Sequence, residues 1–89
     1  MSGEARNLER RLLELPYRNL KVRLRSRERA LAASIEEHGQ QFPIVVVPSA
    51  RPGFFVVVDG HQRLGALSRL NRDLVLAQVL EMTPADALM

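Results

Sequence analysis

The chain contains no cysteine and no tryptophan, and its only aromatic residues are Tyr17, Phe42, Phe54 and Phe55. The missing cysteine excludes disulfide staples, thiolate metal sites and thiol nucleophiles together. No run approaches the roughly 18–20 apolar residues of a membrane span. Met1 to Leu15 is interrupted by Glu4, Arg6, Glu9, Arg10, Arg11 and Glu14, so no apolar stretch of the length a secretory signal needs opens the chain. A membrane protein is thereby excluded, and a cytoplasmic location is expected. Two histidines, His38 and His61, stand 23 positions apart among scattered acids, which matches no metal-ligand spacing. No paired-carboxylate cluster suggests a two-metal nuclease centre either, so no metal site is expected from protein ligands alone.

What is present fits one compact domain. The 89 residues are 46% hydrophobic and 26% charged, enough for a single core and too few for two. The net charge of +3 is unevenly spread: residues 1–29 hold nine Lys and Arg against four acids, a balance of +5, and residues 30–89 hold four Arg against six acids, a balance of −2. Arg18, Lys21, Arg23, Arg25, Arg27 and Arg29 fall within twelve residues. Such a cluster either neutralises phosphates of a nucleic acid or nucleotide or is simply a solvated face.

The amino-terminal third gives mixed signals. Leu8, Leu12 and Leu15 fall at helical spacing, whereas Leu13, Leu15, Leu20, Val22 and Leu24 alternate as in a strand. We expect residues 1–11 to be a flexible leader, followed by a short strand near Leu12–Leu15, a turn over Pro16–Asn19 and an extended piece through Leu20–Leu24. Ser26 suits an N-cap for a helix over Arg27–His38, with Leu31 and Ile35 facing inward, Glu28 and Ala32 at the margins, and Gly39 in the left-handed terminating position. His38, at that helix end, is structural.

Phe42–Val47 and Phe54–Val58 are β-branched apolar runs separated by Ser49–Gly53, a hairpin whose lack of alternation predicts cover on both faces. Phe42, Phe54 and Phe55 border these runs and are expected in the core. A helix over His61–Leu70 with Leu64, Ala66 and Leu67 inward, ended at Asn71, precedes a third strand over Leu74–Leu80. Thr83-Pro84 with Asp86 starts a further helix that the chain cuts short, which suggests the front domain of a longer protein. The whole is an α/β (α+β) domain, a small mixed sheet with helices packed on it.

The stretch Val57 to Leu64 carries the chemistry. A buried strand enters a glycine turn and then a helix directly, which leaves the backbone N–H groups of His61, Gln62 and Arg63 at the positive end of the helix dipole. Arg63 adds a planar cationic fork for phosphate oxygens, and Asp59 could orient it or hold hydrated magnesium. The alternative is a plain strand–helix connection with Asp59 as cap and Arg63 solvated.

Three segments together resemble the amino-terminal domain of the ParB family: Leu31 to Gly39 with Ser34-Ile35 before the glycine, Gln41-Phe42-Pro43-Ile44-Val45-Val46, and Gly60-His61-Gln62-Arg63-Leu64. The resemblance runs from about Leu12 to the end of the chain. It implies a ParB/sulfiredoxin-like fold that binds a nucleotide, CTP in chromosome-partition proteins, with Mg2+. Phosphates would then sit on Gly60, His61, Gln62 and Arg63 beside Asp59, with the base near Gln41 and Pro43. It further implies a homodimer that reaches DNA through a domain further along the chain, with Arg18, Lys21, Arg23, Arg25 and Arg27 toward DNA or a partner protomer. Two departures stand out. His61-Gln62 replaces the Glu-Arg of partition proteins, which leaves Arg63 of a double-arginine clamp, and the family's second phosphate motif would fall after Met89. Asp59-Gly60-His61-Gln62-Arg63 is also similar to the Asp-Gly-His-x-Arg wording of free-serine kinases, in which His61 and Asp59 would serve phosphoryl transfer to a small hydroxyl compound. A third alternative is a docking domain that keeps the fold without nucleotide binding. Sulfiredoxin chemistry needs a cysteine in this turn and is excluded.

Overall fold

A computed structural model describes residues 5–15 and 25–82, for Arg25 and Ser26 the backbone alone. The elements are β1 (Ala5–Glu9), a 3-10 turn (Arg10–Leu12), β2 (Leu13–Glu14), α1 (Arg25–His38), β3 (Ile44–Pro48), β4 (Phe55–Asp59), α2 (His61–Arg69) and β5 (Leu74–Val79). The five strands form one mixed sheet in the order β1-β5-β3-β4-β2. β1 and β4 run antiparallel to β5 and β3, respectively, while β3 with β5 and β2 with β4 are parallel pairs.

This order forces the sheet to curl. β1 and β2 are its opposite edges, about 19 Å apart in a flat sheet at about 4.8 Å per strand, yet only the turn Arg10–Leu12 joins them. A 3-10 turn rises about 2 Å per residue, so the edges must approach each other. The Arg6 guanidinium of β1 accordingly lies 5.5 Å from the ring centroid of Phe55 on β4.

The core lies between the sheet and the two helices. β5 shows the alternation that places it there: Val75, Ala77 and Val79 are buried, while Leu74 is exposed and Leu76 and Gln78 are half-buried. They meet Leu8, Ile44, Val46 and Val57 from the neighbouring strands, Ala32 and Ile35 from α1, and Leu64, Ala66 and Leu67 from α2. Val47 and Val56, paired across the other face of the hairpin, are also buried. The centre of the hairpin is thus covered on both faces, as its unbroken apolar runs predicted. α2 buries the three expected residues and stops at Arg69, two residues before Asn71, whose φ of +54° is one that asparagine tolerates. Gly39, at φ +78°, closes α1 with its N–H on the Ile35 carbonyl at 2.7 Å.

Several expectations are corrected. Residues 5–9 of the expected flexible leader form the edge strand β1, paired to β5 from Ala5↔Gln78 to Glu9↔Leu74. Leu8 alone of these five is buried, so the strand shows too few apolar positions to betray its period. The next strand is Leu13–Glu14, with Leu12 in the preceding turn. Ser26 lies inside α1 and does not cap it. The inward face of α1 is Glu28, Ala32 and Ile35, with Leu31 at the margin. Phe42 precedes β3 and is 65% exposed, not core, while Phe54 and Phe55 are half-buried. The expected turn at Pro16–Asn19, the extended piece Leu20–Leu24 and the helix start at Thr83 lie outside the described residues.

Candidate functional site

The site is built where β4 passes into α2. Val45 pairs with Asp59 and Val46 with Val57, so Val58 is an extra residue on β4, a bulge one step before the turn. Bulges of this kind re-aim a strand end. Gly60 then takes φ +95°, a left-handed value that reverses the chain into the helix within one residue. A side chain is doubly barred there, because a Cβ would stand 2.8 Å from Ile44 Cγ2 and 3.1 Å from Ile44 Cα. Gly60 is the N-cap of α2 and supplies no side-chain bond; Asp59 is exposed at the strand end and does not cap the helix. The first helical bond is Leu64 N–H to the Gly60 carbonyl at 2.9 Å. The N–H groups of His61, Gln62 and Arg63 precede it, so they head the helix and mark its positive end.

The side chains of this turn diverge. His61 lines a cavity of about 250 Å³ together with Arg10, Leu13, Leu15, Leu64, Gly65 and Ser68. Positions 61, 64, 65 and 68 are one face of α2 beginning at its first residue. Arg63 points elsewhere: its Nη1 donates to the Pro43 carbonyl at 3.4 Å, and its guanidinium lies 5.8 Å from the Phe42 ring centroid. The loop bearing Phe42 and Pro43 therefore holds Arg63 beside the turn, while Gln41 is exposed and Pro43 half-buried.

Gln40, which sequence reasoning missed, anchors that loop. Its amide occupies the position a β3 peptide would take against β5, donating to the Leu76 carbonyl at 2.8 Å and accepting from Leu76 N–H at 2.7 Å. Nε2 also donates to the Phe42 carbonyl at 2.9 Å. The ladder then continues with Ile44↔Ala77. A polar residue before an apolar run carries no sequence signal for such a role.

Behind the turn, α1 and α2 meet at Glu28 and Gly65. The Glu28 side chain is 1% exposed and is bonded by Arg69 Nε at 3.4 Å. A Cβ on Gly65 would come within 2.7 Å of its Cδ, so the glycine makes room for the carboxylate. On the opposite edge, Ser49 Oγ and Arg51 Nη1 bind Glu14 at 2.5 and 3.3 Å and tie β2 to the β3–β4 loop. Of the basic cluster proposed to face DNA or a protomer, Arg27 is exposed on α1; Arg18, Lys21, Arg23 and the Arg25 side chain lie outside the described residues. Among the described residues no three His, Asp or Glu side chains gather as a metal site, and no helix is long and apolar enough to cross a membrane.

A strand, a left-handed glycine and a helix start beside a cationic side chain are features of a phosphate-binding turn, and the pattern over the entire chain matches one family. The model of the ParB N-terminal domain matches residues 3–89. The chain belongs to the ParB N-terminal domain family. A replication protein B of Rhizobium rhizogenes is 45% identical over 62 residues, 68% of this chain and 20% of that protein. This ParB domain thus spans about a fifth of the length of that relative. Among solved structures, the C-terminally truncated chromosome-partitioning protein ParB of Caulobacter crescentus, complexed with CTP-γ-S, superposes with a TM-score of 0.82 at 27% identity, over 97% of this chain and 49% of that one. Sulfiredoxin of Arabidopsis thaliana superposes at 0.84 with 19% identity, over 97% and 98% of the two chains, a likeness of fold. The mixed, curled sheet with two helices is thus the ParB/sulfiredoxin fold expected from the sequence, here with no cysteine to support sulfiredoxin chemistry.

Proposed function

We propose that this ParB domain is a nucleotide-binding, DNA-associated regulatory domain, the front part of a longer partition-like protein, with phosphates held at Gly60, His61, Gln62 and Arg63. The observation that carries the reading is the start of α2: three backbone N–H groups presented by a left-handed glycine, with Arg63 on one side and an apolar-walled cavity on the other. That donor set suits a polyphosphate, and Leu13, Leu15 and Leu64 suit its uncharged part. The Caulobacter ParB relative, solved with CTP-γ-S, supports CTP as the first nucleotide to try. Asp59 is the carboxylate of the turn, and it would meet a magnesium ion carried in on the phosphates, a mode that needs only one or two carboxylates. Gln41 and Pro43 sit on the loop that anchors Arg63 and would approach the base.

DNA would be reached through the longer, dimeric protein in the cytoplasm, on the nucleoid, helped by the basic segment containing Arg18, Lys21, Arg23, Arg25 and Arg27. Calorimetric titration with CTP, ATP and GTP under magnesium tests the nucleotide reading. CTP is expected to bind, and Arg63→Ala to weaken it about tenfold or more, the worth of a charge-assisted phosphate contact. No binding, or binding indifferent to Arg63→Ala, would sink the reading.

A phosphotransferase is the second reading, favoured by the placement of His61 in the cavity wall within the Asp-Gly-His-x-Arg order. It predicts transfer from ATP, ADP or CTP to a small hydroxyl compound and loss of that transfer in His61→Ala. Binding without turnover favours the regulatory domain.

A further inference from the structure

We infer that Arg10 is a second cationic ligand of the α2 pocket, contributed by the amino-terminal 3-10 turn and aimed at the phosphate of an organophosphate whose uncharged part lies on Leu13, Leu15 and Leu64. The inference deepens the nucleotide reading above and rests on it for the identity of the ligand.

The turn Arg10–Leu12 is pinned where β1 crosses to the other edge of the curled sheet, by the Arg10 N–H on the Asp73 carbonyl at 2.7 Å. From there Arg10 lines the cavity together with the α2 face that begins with His61. Its Nη1 is buried and has no hydrogen-bond partner among the described residues, while the residue as a whole is half-buried. A guanidinium cannot shed its proton, and a buried N–H left without an acceptor is unfavourable. Among the described residues no acid pairs with it: Glu9 pairs with Arg11 at 2.9 Å, and Glu28, packed on Gly65, is bonded by Arg69 at 3.4 Å, while Arg10 also borders a second cavity beside the turn with Glu9, Arg11 and Asp73.

The pocket thus combines a cation without an internal anion, the positive end of a nine-residue helix and an apolar wall. Its volume of about 250 Å³ is below the roughly 300–1,000 Å³ of sites that enclose a whole drug-sized ligand, so it receives part of a nucleotide, with Arg63 meeting the remainder outside. The curl of the sheet is what makes the arrangement possible, because it carries the β1–β2 turn to the start of a helix fifty residues later.

The test uses the chain as it stands, with CTP and inorganic tripolyphosphate as probes, titrated calorimetrically at physiological salt into wild type, Arg10→Met, Arg10→Lys and Arg63→Ala, each also melted with and without ligand. Arg10→Met should weaken both probes about tenfold or more, Arg10→Lys should restore part of that loss, and the unliganded Tm of Arg10→Met should equal or exceed that of wild type, because the buried, unpartnered N–H is gone. Unchanged affinity in Arg10→Met with Arg63→Ala impaired overturns the role of Arg10 and leaves the nucleotide reading standing. Tripolyphosphate binding that depends on Arg10 without CTP binding supports the anion pocket and overturns the nucleotide reading. Binding of neither probe overturns both. A clear fall in unliganded Tm for Arg10→Met makes Arg10 a structural residue and overturns the inference.

Discussion

Substituting Gly60 by alanine tests the geometry on which the site depends. The φ of +95° costs a non-glycine residue about 1–3 kcal/mol. The new Cβ, 2.8 Å from Ile44 Cγ2 and 3.1 Å from Ile44 Cα, faces a fully buried residue whose main chain is fixed in the sheet, which adds about 1–3 kcal/mol of overpacking. Reduced freedom of the unfolded chain returns about 0.4–1 kcal/mol. The net loss is about 1–5 kcal/mol, a fall in Tm of roughly 4–40 °C for a domain of this size. Gly39→Ala is the control: its φ of +78° carries the same kind of strain, but nothing lies within 4 Å of the added carbon. Urea unfolding followed by far-ultraviolet circular dichroism suits a chain without tryptophan. Gly60→Ala should cost at least about 1 kcal/mol more than Gly39→Ala. Equal costs would refute the close approach of Gly60 to Ile44, and with it the placement of the α2 start.

Three further outcomes follow from the packing. Leu8→Ala should cost about 2–3 kcal/mol in the same urea assay, where a flexible leader would show no change. Gln40→Ala and Gln40→Glu should each cost about 1–3 kcal/mol, since both remove the donor to the Leu76 and Phe42 carbonyls, and amide exchange at Leu76 should accelerate in the alanine variant. Gly65→Ala should cost about 1–3 kcal/mol, and a double-mutant cycle with Glu28→Ala should recover at least about 0.5 kcal/mol of that cost.

What could be read in advance was what local chemistry dictates. The hairpin announced itself through two β-branched runs around Pro52-Gly53, and α2 through Gly60 and the spacing of Leu64 and Leu67. The turn at Gly60 was legible for the same reason, since a chain that passes from strand to helix within one residue favours the left-handed φ that glycine supplies. The parts that escaped depend on tertiary placement. β1 hides because an edge strand with one buried residue, Leu8, has no readable alternation, and the three-residue spacing of the nearby leucines imitates a helix. Glu28 is inward because Gly65 on another helix leaves it room and Arg69 bonds it. Phe42 is outside because the strand begins two residues later than its apolar run. Arg10 gains its place in the pocket only through the curl that joins the two sheet edges, which no local pattern encodes.

Nucleotide binding at the start of α2 is tested most directly by a map of backbone amide shifts in the 15N-labelled chain on addition of CTP with magnesium. The largest changes are expected at Gly60, His61, Gln62 and Arg63, with secondary changes at Arg10 and Leu13, and a loss of these changes in Arg63→Ala. Changes confined to other surfaces, or none at saturating CTP, would contradict it.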